Sequence, residues 1–133
     1  MISWLLAKPT SAFLRESLAM YMDASWWGKA NTWWCKQFLK EGSYIPIANL
    51  LENECFFSAP CEVTYSLAGA FTRFCVETLG RAAFLHSVYR YPGSVKDALE
   101  GAFEQGLATT EKNFLIWLGT LDPEEQYTAP IVF

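Results

Sequence analysis

The sequence predicts an all-α fold, an irregular bundle of about six to seven helices, on three observations. Pro9, Gly28, Gly42, Pro46, Pro60, Gly80, Pro92-Gly93 and Gly106 cut the chain into pieces of helical length. Within the pieces apolar residues recur three and four apart, the spacing of one helical face. No stretch that alternates apolar with polar residues is long enough to demand a strand, and no internal repeat is visible.

Pro9 and a hydroxyl at Thr10 or Ser11 start a first helix that runs to Asp23. A second follows Asn31 and stops at Gly42, and Pro46 opens a short helical turn through Ile47, Leu50 and Leu51. Residues 53–62 lack a period and read as a loop. The longest helix spans Val63 to Leu79, with Tyr65, Ala68, Phe71, Phe74, Cys75 and Leu79 on its apolar period and Gly80 as its stop. A fifth helix covers Arg81 to Arg90, with Ala82, Leu85 and Val88 or Tyr89 facing inward.

Ser94 to Asp97 has the look of a capping box with Asp in place of Glu, opening a sixth helix whose apolar face is Val95, Ala98, Leu99, Ala102 and Phe103. The seventh starts at Thr109 or Thr110 and carries Phe114, Leu115, Trp117, Leu118 and Leu121. Residues 1–121 then form a single domain. Residues 122–133 are a tail, acidic and then apolar, expected to be extended or poorly ordered.

Composition narrows the function classes. At 133 residues the chain can bury about two-thirds of its unfolded surface around one core. It is 52% hydrophobic, 17% aromatic and 18% charged, which excludes a disordered chain. The net charge is −4 and the ten Lys and Arg are scattered, so nucleic acid is not an expected partner. Ile2 to Ala7, broken by Ser3, is too short for a membrane span or a signal-peptide core, and the compartment stays open.

Four cysteines, Cys35, Cys55, Cys61 and Cys75, include no C-x-x-C pair, which argues against a structural zinc site and for free thiols. Cys75 reads as a buried small hydrophobe, and Cys55 and Cys61 could bridge only in an oxidising compartment.

Glu16 is the first candidate for chemistry. Ala12 and Phe13 precede it by one helical turn, Ala19 and Met20 follow by one, and no basic residue sits at i±3 or i±4. Such a carboxylate either lies at an exposed edge of the domain or is paired, and a metal is one possible partner. Trp26-Trp27 and Trp33-Trp34 are adjacent pairs whose members point about 100° apart on a helix, so some indole surface is expected to be exposed. Arg73, Glu77 and Arg81 read as a surface ion-pair ladder at i, i+4, i+8.

The stretch Phe13-Leu14-Arg15-Glu16-Ser17-Leu18-Ala19-Met20-Tyr21 resembles the W-L-x-E-G-L/F-A-x-Y motif of the gluzincins, the zinc metallopeptidases of the peptidase MA-like group. Pro46-Ile47-Ala48-Asn49-Leu50-Leu51 is similar to P-L-x-x-L-L. Tyr65-Ser66-Leu67-Ala68-Gly69-Ala70-Phe71-Thr72-Arg73-Phe74 resembles Y-x-x-A-G-S-F-x-R-Y/F, and Val76-Glu77-Thr78-Leu79-Gly80 resembles the helix end L/V-V/I-E-x-Y-G. The likeness covers roughly residues 9 to 118, and its specificity lies in the order and spacing of these words.

The resemblance implies the fold of a gluzincin C-terminal helical subdomain. It makes Glu16 the third zinc ligand and Tyr65 a donor to the developing oxyanion, although Tyr65 equally reads as a core tyrosine on the apolar period. In the full-length relative, two imidazoles of an HExxH helix and this Glu would hold zinc with one position open, for a bound water that attacks a peptide or protein substrate.

This sequence departs from the pattern in two places. Ser17 stands where the motif has Gly, and HExxH is absent, its expected place falling just before Met1. The only histidine, His86, has no Glu beside it and reads as a partly exposed helical residue. No zinc is therefore expected on this chain alone, and it is expected to be inactive in isolation. The alternative is a non-catalytic interaction domain that docks or self-associates through exposed tryptophans.

Overall fold

The structure is a computed structural model of the chain and describes residues 12–23, 25–26, 29–52, 58, 61–89 and 94–121. The elements are α1 (Ala12–Asp23), β1 (Ser25–Trp26), β2 (Lys29–Ala30), α2 (Asn31–Glu41), α3 (Ile47–Leu50), α4 (Cys61–Leu79), α5 (Arg81–Phe84), a π-helical turn (Leu85–Tyr89), α6 (Val95–Phe103) and α7 (Leu107–Thr120). The fold is all-α, as the punctuation predicts. The sole extended elements among the described residues, β1 and β2, pair antiparallel, with Ser25 opposite Ala30 and Trp26 opposite Lys29.

Helix α4 is the axis of the bundle. Leu67, Ala68, Ala70, Phe71, Phe74 and Cys75 are all buried, and so are the polar Thr64, Ser66, Thr72 and Arg73. Residues 66–75 are buried on every side, so the middle of the helix is surrounded by neighbours rather than laid on a core by one stripe, while Glu77 and Thr78 near its end are exposed. Phe71 meets Phe13 of α1 edge-on at 6.1 Å and Phe114 of α7 at 5.2 Å. Phe74 stacks on Phe103 of α6 at 5.7 Å, their planes 6° apart. On the α2 side, Cys35 Sγ donates to Ser66 O at 3.6 Å.

Helix ends follow the local chemistry of their residues. Gly80, at φ 91°, takes the left-handed conformation that ends α4, and its N–H donates to Val76 O at 2.8 Å. Ser94 caps α6 by accepting from Asp97 N at 3.1 Å, the expected cap. Glu100 Oε2 accepts from Leu107 N at 2.9 Å, which satisfies a donor at the start of α7.

Four readings need correction. Helix α4 starts at Cys61, so the end of the expected loop 53–62 is already helical. Helix α7 starts at Leu107 rather than at Thr109 or Thr110, because Gly106 in extended conformation precedes the first turn and Leu107 is buried there. In the fifth segment Ala82 is exposed, and Phe84, Val88 and Tyr89 turn inward. The wider π-helical turn shifts the face that a strict α-helical period would bury.

The fourth correction concerns Arg73: its ion pair with Glu77 forms as the i, i+4 spacing predicts, but Arg73 is buried beneath Trp117 and not at the surface. The onset of the first helix at Thr10 or Ser11, Trp27, Cys55 and the tail 122–133 lie outside the described residues.

Candidate functional site

Glu16 stands at the margin of the buried face of α1. Phe13, Ser17, Met20 and Tyr21 of the same helix are buried, Ala19 is exposed, and Glu16 itself is partly buried. Ser17 is 0% exposed, and a small side chain there lets α1 lie close to its neighbours.

Tyr65 is partly buried on α4 and packs against the core. Helices α1 and α4 pack on one another, and the junction has a defined centre at Gly69. A β-carbon on Gly69 would fall inside contact distance of Asn31 Nδ2 and lie 3.0 Å from Met20 Cβ. Asn31 Nδ2 in turn donates to Met20 O at 2.9 Å, tying the start of α2 to α1. Met20 is one turn after Glu16, and Gly69 is one turn after Tyr65. Each candidate residue thus lies one turn along its own helix from a residue of this junction.

Zinc needs at least three protein donors. Among the described residues no group of three or more His, Cys, Asp and Glu could hold a metal ion. His86 is exposed on the π-helical turn, whose main neighbours are α5 and α6 rather than α1. The donors described here do not by themselves fit a zinc site, and no catalytic step through zinc follows from them.

The thiols are no substitute. Cys35 and Cys75 are free and buried, and burial pushes both well above the ordinary thiol range. A thiol held in that state is a poor nucleophile at neutral pH. Cys75 is the buried small hydrophobe that its spacing predicts, at 1% exposed.

Two polar constellations include partners that local spacing could not supply. Arg73 Nε donates to Glu77 Oε2 at 2.7 Å, the guanidinium lies 5.5 Å from the Trp117 ring centre, and Trp117 Nε1 donates to Glu77 Oε1 at 3.3 Å. This closed set of contacts joins α4 to α7. In the second, Glu111 Oε2 accepts from Tyr44 Oη at 2.6 Å and from Ile47 N at 2.9 Å. Glu111 is thus a remote cap for α3, brought there from 64 residues away. No local spacing could have announced it.

Of the tryptophan pairs, Trp33 and Trp34 meet edge-on at 4.9 Å, and each is partly buried. Both keep some surface in solvent, as their adjacency requires. The described helices include none long and apolar enough to cross a membrane.

The fold defines an irregular all-α bundle. No family model, curated protein or solved structure matches the chain.

Proposed function

We infer that this chain is the C-terminal helical portion of a zinc-dependent metallopeptidase of the gluzincin, peptidase MA-like type, inactive as the isolated chain. Glu16 is the one metal-binding carboxylate it contributes, and Tyr65 is the hydroxyl that donates to the oxyanion of a peptide substrate. The reading rests on the residue words that resemble the family. It is supported by one structural observation, that Glu16 and Tyr65 are both partly buried and each stands one turn before a residue, Met20 or Gly69, of the contact where α1 and α4 pack. The two imidazoles must come from sequence other than this, since His86 is its only histidine.

The test is to read and express the codons in frame upstream of Met1. The expected result is an HExxH close before Met1 and an extended protein that binds zinc one to one. Glu16→Gln should abolish that binding, whereas Tyr65→Phe should keep the metal and lose peptide hydrolysis. An in-frame stop codon just before Met1, or zinc held equally well without Glu16, would overturn the reading.

A second reading, a non-catalytic interaction domain, draws on the partly exposed Trp33-Trp34 pair and on Ile116, which is 60% exposed. Concentration-dependent self-association lost in Ile116→Glu would favour it.

A further inference from the structure

Away from α1 and α4, a cleft of about 390 Å³ opens between the end of α3, the first turn of α6 and the start of α7. Among the described residues its lining is Ala48, Leu51, Glu52, Ser94, Val95, Lys96 and Leu107. The volume lies at the small end of the range for small-molecule sites. Four lining residues are apolar, and Leu107 and the half-buried Leu51 and Val95 give it an aliphatic floor.

The polar groups at the rim divide into satisfied and available. Ser94 Oγ already accepts from Asp97 N. Leu107 N already donates to Glu100 Oε2. The Glu52 carboxylate and the Lys96 ammonium remain, both exposed, and neither makes an ion pair or side-chain hydrogen bond among the described residues. Two opposite charges line one cleft and do not reach each other. A ligand that engages both carries a cation and an anion, with an apolar group to lie on the aliphatic residues between them. The anion would also sit at the positive end of α6, beside the first N–H groups of that helix.

We propose that this cleft binds a free α-amino acid with an aliphatic side chain, its ammonium on Glu52, its carboxylate on Lys96 and its side chain over Leu51, Val95 and Leu107. The site is independent of the peptidase reading, because none of its residues lies on α1 or α4.

The experiment is an amide NMR titration of the full chain with L-leucine, N-acetyl-L-leucine, which lacks the ammonium, and L-leucinamide, which lacks the carboxylate. The expected result is saturable shifts at residues 48–52, 94–96 and 107, with each blocked analogue weaker by about two- to fivefold, the worth of one solvent-exposed ion pair. Glu52→Gln should bind leucine no better than N-acetyl-leucine, and Lys96→Gln no better than leucinamide. Both side chains are exposed, so both variants should keep the helical circular dichroism of the parent. Shifts that do not saturate up to about 10 mM leucine, weaker than the millimolar affinity expected of so small a site, would sink the proposal. So would equal binding of all three ligands, or shifts centred elsewhere.

Discussion

At position 69 a β-carbon would press into the Asn31 amide and lie 3.0 Å from Met20 Cβ, and neither neighbour is free to yield. Asn31 is fixed by its bond to Met20 O, so both obstacles belong to one buried junction. Alanine there gains about 1 kcal/mol of helix propensity and loses about 1–3 kcal/mol to overpacking. We expect Gly69→Ala to be destabilising on balance, read as a lower urea midpoint with an unchanged slope. Asn31→Ala alone costs about 1–3 kcal/mol, since it leaves Met20 O unpaired. The double variant should be less damaged than the sum of the two, because removing the amide makes room for the new methyl group. Strict additivity would show that the two residues do not meet.

A helix of one turn has no stability of its own, and α3 spans only Ile47–Leu50. It persists because Ile47 and Leu50 are wholly buried and because Glu111 ties down Ile47 N and the Tyr44 hydroxyl. Burial, then the bond to Glu111 and the charge of that carboxylate, hold the Tyr44 hydroxyl above its ordinary range. The folded protein therefore favours the protonated phenol. That contribution is complete below the unfolded value of about 10 and is lost as pH rises beyond it.

The buried Cys35 thiol shifts in the same direction, so its share fades from the lower unfolded value of about 8.5. Unfolding free energy measured between about pH 8 and 12 should fall in two stages. Tyr44→Phe should make the second stage shallower, leaving the share of Tyr89, whose hydroxyl burial also raises, and should leave the first stage. An unchanged profile in Tyr44→Phe would mean that the phenol titrates alike in both states.

Across the whole molecule, one aromatic cluster joins four helices. Phe71 and Phe74 of α4 meet Phe13, Phe103, Phe114 and Trp117 from α1, α6 and α7. Phe114 is 0% exposed and touches both α4 rings, at 5.2 and 5.7 Å. Phe114→Ala should cost about 3–5 kcal/mol, a large part of the 5–15 kcal/mol that holds a typical domain folded. Ile116, two residues along the same helix and mostly exposed, should tolerate alanine to within about 0.5 kcal/mol. Thermal melts of the two variants make the comparison, and equal losses would contradict this packing.

Much of the architecture was legible in the sequence because helix boundaries are local events. Pro46, Gly80 and Ser94 act on the residues next to them, and the helices begin or end where those residues stand. Glu16 and Tyr65 were likewise singled out from short words, although nothing local says that their helices share the Gly69 junction. The pairing of Arg73 with Glu77 was legible but its burial was not, since an i, i+4 partner is visible in sequence and a tryptophan 44 positions away, Trp117, is not.

By itself, then, the sequence determined the helical class, most helix ends and the apolar faces, because backbone dihedrals and periodicity depend on neighbours a few residues apart. Only the tertiary structure decided that the middle of α4 is buried all round, that Glu111 caps α3, and that Glu52 and Lys96 face one cleft. Those facts depend on pairs distant in the chain, whose energies exist only once the helices have packed.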